Sequence, residues 1–257
     1  MPVISRIILL LALFLFVGTN LAWAGQEEDG TAVPSATTQA QVDWTELDED
    51  DQELEVWDPL EPFNRGMFWF NDKLYFYLLK PVAKGYRFVA PEPVRESVSN
   101  FFHNLATPVR FLNCLLQGKG HDAASELALF MLNTTFGVVG LFDLTPDDMV
   151  RPDAEDFGQT LGRYGTSSGF YLVLPVFGPS NARDAVGRVA DSLVHPVPSP
   201  FYLKMKPLEV AGVQTYDTVN ELSLDKDTYE SIKKDELDPY LFVRNAFMQK
   251  RAAKVEK

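Results

Sequence analysis

Between Glu126 and Asp143 the chain runs for sixteen residues without a charge, LALFMLNTTFGVVGLF. As straight helix such a segment covers about 24 Å, short of the roughly 30 Å hydrocarbon core of a bilayer. It must therefore lie in a protein core or dip part-way into a membrane. Asn133, Thr134, Thr135, Gly137 and Gly140 interrupt its apolarity. The pattern predicts a helix capped by Asp122 and continuing to about Phe136, followed by a turn rich in Gly.

The flanking sequence is punctuated in the same helical way. Asp58-Pro59-Leu60-Glu61 has the order of an N-cap, a first-position Pro and a capping-box Glu. Residues 63–79 then hold seven aromatics: Phe63, Phe68, Trp69, Phe70, Tyr75, Phe76 and Tyr77. That is too many for one stripe, so this helix is apolar on most faces. Trp and Tyr suit a boundary between water and lipid, because each has an apolar body and a polar tip. The same residues also suit an aromatic core. Pro81 is expected to end this helix. Further helices are expected at 94–102, at 108–117 with Gly118 as the stop, and from Ser180 to His195. In the last of these Ala182, Ala185, Val186, Val189 and Leu193 recur at helical spacing. Helices near 208–222 and 226–236 follow, and Asp238-Pro239 opens a last one. Residues 156–179 are Gly-dense and read as a compact loop packed through aromatics. No βα alternation is present, so the fold class is all-α: a single domain at 57–251, with a tail at 252–257.

The N-terminus belongs to another category. Arg6, the apolar run Ile7 to Val17 and the Ala22-Trp23-Ala24 site form a secretory signal peptide at 1–24, with cleavage expected before Gly25. Residues 25–56 contain eleven acids and no Lys or Arg, and they read as a disordered acidic linker with a reach of about 30 Å. The linker accounts for most of the net charge of −13; residues 57–257 hold 25 acids against 22 bases. No basic footprint for nucleic acid exists. The one cysteine, Cys114, sits in an apolar stretch and reads as a small buried hydrophobe. His103, His121 and His195 lack metal-ligand spacing, and no phosphate-cradling loop is present, so neither metal nor cofactor is expected.

One catalytic pattern does occur. Gly165-Thr166-Ser167-Ser168-Gly169 fits G-x-S-x-G, with Asp184, Asp191 and His195 following in triad order. A nucleophile elbow needs a buried strand before the serine and a helix after it. Here a polar, Gly-rich stretch precedes Ser167 and FYLVLP follows it. A chance match in a Gly/Ser loop is the simpler account, and an envelope esterase remains the enzymatic alternative. A non-catalytic envelope scaffold is the third.

Several motifs recur together in one known family. DPLEPFNRGMFWFND at Asp58 to Asp72, NCLLQG at Asn113 to Gly118, LNTTFGVVGLFD at Leu132 to Asp143 and DFGQTLGRYG at Asp156 to Gly165 resemble the MlaA (VacJ) family of outer-membrane lipid-transport lipoproteins. GFYLVLPVFGPSNARD at Gly169 to Asp184 and DPYLFVRNAFMQKR at Asp238 to Arg251 do so too. The resemblance implies a ring-like helical protein in the inner leaflet of the outer membrane, with an amphipathic channel. It implies that phospholipids misplaced in the outer leaflet pass through the ring to a soluble periplasmic carrier, and that a porin trimer holds the ring. It implies transport, not bond chemistry. The family's lipidated cysteine after the signal is replaced here by Gly25. The mixed segment and the Gly-rich loop supply the expected lipid path: Asn133, Phe136, Gly137, Gly140, Leu141, Phe142 and Tyr164.

Overall fold

A computed structural model describes residues 56–146, 149–197, 205–225 and 227–256. The signal peptide and nearly all of the acidic linker lie outside the described residues. The elements are α1 (Glu61–Leu74), a π-helical turn (Tyr75–Leu79), α2 (Lys80–Val89), α3 (Glu92–Leu116), α4 (Gly120–Thr135) and α5 (Phe157–Arg163). They continue with β1 (Tyr171–Leu174), β2 (Gly178–Asn181), α6 (Ala182–Val194), α7 (Pro207–Leu224), α8 (Thr228–Asp235) and α9 (Pro239–Glu256). The all-α expectation holds, apart from one small hairpin.

Two prolines do not stop their helices. Pro81 falls in the first turn of α2, directly after the π-turn. A first-turn Pro loses no intrahelical bond, and the wider π-turn moves the facing carbonyl away from its ring. Pro108 sits inside α3, so the two helices expected at 94–102 and 108–117 are one. Along its length α3 packs against α4 and against α7. Packing over that length outweighs one missing backbone hydrogen bond.

Caps also move. Asp58 does not cap α1. It accepts from Asn64 Nδ2 at 2.8 Å and from the Tyr240 hydroxyl, and so ties the start of the domain to α9. Asn181, not Ser180, caps α6, accepting from the Asp184 amide at 2.8 Å. The helix expected from Asp122 starts at Gly120 and ends at Thr135. Residues 156–179 are not a loop throughout: Asp156 and Gln159 form a capping box that opens α5, and Tyr171–Leu174 pairs antiparallel with Gly178–Asn181. The strand forms because α1 satisfies its other edge. Asn64 receives the Val173 amide at 2.9 Å and donates to the Tyr171 carbonyl at 3.0 Å. Asn71 receives the Val176 amide at 2.8 Å and donates to the Leu174 carbonyl at 2.9 Å.

The packing order is circular. Through the π-turn α1 leads to α2; α2 packs on α7, α7 on α3, and α3 on α5 and α6. These meet α9 and the hairpin, and β1 returns to α1. The apolar cluster of Tyr171, Val173 and Tyr240, with Met67, Phe68 and Phe247 against it, closes this circuit.

Candidate functional site

The distribution of polarity is inverted. Among the described residues the buried polar and charged side chains outnumber the buried apolar ones, 21 to 15. In an ordinary soluble domain Arg, Glu, Asp and Asn are rarely buried fully. Meanwhile Trp69, Tyr77, Phe88, Val89, Met131, Phe136, Val186 and Val189 are each more than half exposed. An exposed apolar surface of this extent marks a partner that is itself apolar. Among the described residues, no helix is long and apolar enough to cross a membrane.

Buried polar groups satisfy one another where helices meet. Arg110 on α3 donates through Nε to Glu126 on α4 at 2.9 Å, and through its other nitrogens to the His103 carbonyl and to Thr107. Burial first, and then the Arg110 charge, push His103 down to about 3, so its neutral ring can accept from Arg110 Nη2 at 3.1 Å. A second junction ties α9 to α5 and α6: Arg251 donates to both Asp156 oxygens, at 2.6 and 2.9 Å, and lies 2.6 Å from Asp184. A third uses Asp191, which accepts from Asn113 on α3 and from the Phe157 amide at the start of α5.

Three charged groups outside these junctions also feel the surrounding protein. Glu221 on α7 reaches solvent, yet surrounding protein pushes its carboxyl up to about 8. Asp217, one turn earlier, is raised to about 6 by the same burial. Arg188 on α6 behaves alike: it is exposed, its guanidinium is pulled down by burial, and it lies 5.4 Å from the Phe177 ring centroid. None of these three stands among the residues expected from the sequence. The available signal was a pair of acids one turn apart on α7.

The expected lipid-path residues fall in two places. Asn133 is buried; it accepts from the Leu144 amide at 2.9 Å and donates to Asp143 at 3.3 Å. Gly137 and Gly140 are buried as well, in the turn beyond α4 and not within a helix. A Cβ on Gly137 would stand 2.2 Å from the Phe142 carbonyl oxygen. One on Gly140, where φ is +89°, would stand 2.4 Å from Asn104 Cβ. These glycines are filled against, with no open space beside them. Leu141 is half-buried, while Phe136 and Phe142 are exposed. Val138 and Val139 between them are exposed too, and both adopt left-handed backbone (φ 52° and 61°). That conformation costs a β-branched residue about 1–3 kcal/mol, and such strain clusters at working surfaces. Tyr164 is elsewhere. It is exposed, and its hydroxyl donates to the Leu116 carbonyl at 2.6 Å. Leu116 ends α3, while Asn104, which meets Gly140, lies twelve residues earlier, about 18 Å along the helix.

The triad candidates do not assemble. Ser167 is exposed in extended chain after α5, with no strand before it and no helix directly after it. Asp184 is engaged by Asn181, Arg183 and Arg251. Asp191 belongs to the helix junction, and His195 accepts the Val197 amide on Nδ1 at 3.3 Å. Among the described residues no cluster of His, Cys, Asp or Glu could hold a metal ion. Cys114 is fully buried, and burial pushes its thiol up to about 12, which makes it a packing residue and not an attachment point.

A closed helical circuit, apolar outside and charge-bearing inside, defines the class of protein. The MlaA lipoprotein family profile matches residues 56–254, and the chain belongs to that family. It is 35% identical over 199 residues to the intermembrane phospholipid transport system lipoprotein MlaA of Escherichia coli K12, covering 75% of this chain and 76% of that one. An uncharacterized protein of Rickettsia conorii is 33% identical over 204 residues, covering 79% and 80% of the two chains. A solved structure from work on the structural basis for maintenance of bacterial outer membrane lipid asymmetry superposes with a TM-score of 0.66 at 32% identity. It covers 77% of this chain and 98% of that one.

Proposed function

We propose that this protein transports phospholipid at the periplasmic face of the outer membrane and so maintains the lipid asymmetry of that membrane. Phospholipid misplaced in the outer leaflet enters the ring and leaves to a soluble periplasmic carrier. The ring sits in the inner leaflet with a porin trimer beside it. Its relatives named as components of an intermembrane phospholipid transport system support this reading. The observation that carries it is the inverted polarity: exposed aromatics around a circuit whose buried helix junctions are polar and charged.

The chemistry is that of accommodation. Stranding a headgroup in hydrocarbon, or acyl tails in water, costs several kcal/mol. Arg188 offers a cation to a lipid phosphate. Glu221, with its carboxyl raised to about 8, is largely protonated near neutral pH and offers a hydrogen-bond donor where an ionised carboxylate would repel the phosphate. Phe136, Val138, Val139, Leu141 and Phe142 give the tails an apolar contact, with Asn133, Gly137 and Gly140 holding that turn in shape and Tyr164 marking the far end of α3. No bond is made or broken, and no cofactor enters.

Mass spectrometry of the purified protein, with a strain lacking the protein assayed for outer-leaflet phospholipid, tests the reading. Bound phospholipid and outer-leaflet accumulation are expected. Fatty acid released in a Ser167-dependent way would establish an esterase in its place, and absence of both lipid and phenotype would leave a scaffold.

A further inference from the structure

The charge of the outer surface is uneven. Residues 62–91 carry five bases and one acid, in a chain whose net charge is −13. The single acid, Asp72, is buried and held by Lys233 at 2.5 Å and by the Tyr229 hydroxyl. Three of the bases are already engaged. Arg65 binds Glu61 and Asp238, Lys80 binds Glu230, and Arg87 donates to the carbonyls of Ser223 and Asp225. Lys73, partly exposed, shares the buried Asp72 with Lys233, and Lys84 is exposed.

Lys73 is framed by aromatics. Its ammonium lies 6.0 Å from the Trp69 ring centroid and 5.9 Å from that of Tyr77, four residues to either side. Asp72 Oδ2 is 3.5 Å away, on the inner side. Trp69 and Tyr77 are both mostly exposed. Lys84 is exposed on α2 without an ion-pair partner among the described residues, and Val82, Phe88 and Val89 of the same helix are exposed around it. An indole, an ammonium and a phenol in one line, above apolar side chains, is the arrangement that settles at a headgroup plane.

We propose that the limb formed by α1, the π-turn and α2 docks on an anionic phospholipid surface, with Lys73 and Lys84 meeting the headgroup phosphates. The inference rests on the lipid-facing exterior proposed above and adds the headgroup charge that this limb selects. Apolar burial alone gives binding that ignores headgroup charge. Two ammonium groups with no exposed carboxylate between them give binding that rises with anionic lipid and falls with salt. An acidic protein segment would satisfy the two lysines but would leave Trp69, Tyr77, Phe88 and Val89 without an apolar partner. The bilayer satisfies both.

Flotation with vesicles tests this, using the purified protein, pure phosphatidylcholine vesicles, and vesicles with about one-third phosphatidylglycerol. Tighter binding to the anionic vesicles is expected, with the difference lost at high salt. Lys73→Gln with Lys84→Gln is expected to lower affinity for anionic vesicles about 30-fold, about fivefold per lysine, and to leave phosphatidylcholine binding and the thermal midpoint unchanged. Equal wild-type binding to both vesicles, salt-independent binding, or a double variant that binds anionic vesicles like wild type each overturns the proposal. So does a soluble poly-glutamate peptide that occupies the limb as tightly as the anionic vesicles. Failure to bind either vesicle would instead overturn the lipid-facing exterior itself.

Discussion

Around Arg110 the molecule is polar where proteins are usually apolar, and along α1 and α2 it is apolar where they are usually polar. The first region is buried and paired: Arg110 with Glu126, Thr107 and His103. The second is open and has Trp69, Phe70, Tyr77 and Phe88 at its surface. On the proposed placement at the outer membrane, the contrast follows from the solvent. Where lipid surrounds a protein, apolar burial between helices no longer drives association, and polar contacts and close packing hold helices together. The inner region then carries the specificity of the fold, while the outer region carries its placement.

The largest test of this contrast is Glu126→Ala. It leaves the Arg110 guanidinium buried and without its carboxylate. Removing one member of a buried pair costs about 3–5 kcal/mol. Urea unfolding in detergent is expected to show a loss of that size, and Arg110→Met combined with Glu126→Leu is expected to recover most of it. A loss within about 0.5 kcal/mol, as at an ordinary surface site, would break the comparison.

Next come Gly137→Leu and Gly140→Leu. With carbonyl oxygen and Asn104 already against them, both substitutions overpack the turn, at about 1–3 kcal/mol. A lowered thermal midpoint with a proportionate rise in outer-leaflet phospholipid is the expected result. Transport lost at an unchanged midpoint would show that these glycines border free space. Leu at Val138 or Val139, at the exposed tip, is expected to leave the midpoint unchanged and so to separate the tip from its base.

A smaller effect should follow pH. Glu221 moves from an ordinary 4.5 to about 8 in the fold, and Asp217 from 3.8 to about 6. Between those values the folded state holds more protons than the unfolded one. The stability from these groups is therefore complete below the unfolded values and is lost as pH rises through the folded ones. The thermal midpoint is expected to rise as pH falls from 8 to about 6.5, below which His103 and His195, both lowered by burial, oppose further gain because the unfolded chain protonates them first. It should fall again in stronger acid, where Asp143, Asp156 and Asp238, all held below the usual carboxylate range, take up protons. Glu221→Gln is expected to flatten the upper part of this profile. A profile that keeps its upper slope in that variant would show that Glu221 is not the raised carboxyl.

The sequence carries much of this unevenly. Helix periodicity and the aromatic density of 63–79 make the all-helical fold and the exposed limb legible, because both depend on neighbours in the chain. Pro81 and Pro108 mislead, because the π-turn and the flanking helices that carry the chain past them are tertiary features. The hairpin at Tyr171 is hidden for the same reason: its second edge belongs to Asn64 and Asn71, about a hundred residues away. Asp58 reads as a cap, but its partner Tyr240 is contributed by the last helix. The burial that shifts Glu221 and Arg188 arises only once the helices pack, and no local pattern encodes that packing. Phe136, Phe142 and Tyr164 could be named from composition, but the 18 Å or so along α3 that separates them could not.

The smallest expected effect belongs to Ser167. The pattern G-x-S-x-G singles it out, and the structure gives it none of the surroundings that make a serine nucleophilic. It stands exposed beyond α5, with no buried strand behind it to force a strained turn and no helix after it to supply an oxyanion donor. The base that would activate it is spoken for. His195 closes α6 as its C-cap, receives the Val197 amide, and has its pKa lowered first by burial and then by Arg110. Asp184 and Asp191, which would orient that base, are committed to Arg251 and to Asn113 with the Phe157 amide. Freeing either carboxylate would dismantle a helix junction. Ser167→Ala is therefore expected to shift stability by no more than about 0.5 kcal/mol and to leave outer-leaflet phospholipid at its wild-type level. The comparison is sharpest when Ser167→Ala is set beside Asp191→Ala. The aspartate, half-buried at its junction, is expected to lower the thermal midpoint through the lost tie between α3, α5 and α6, while the serine is silent. Matching losses of a lipase activity in both variants, at unchanged stability, would overturn that division and restore the triad.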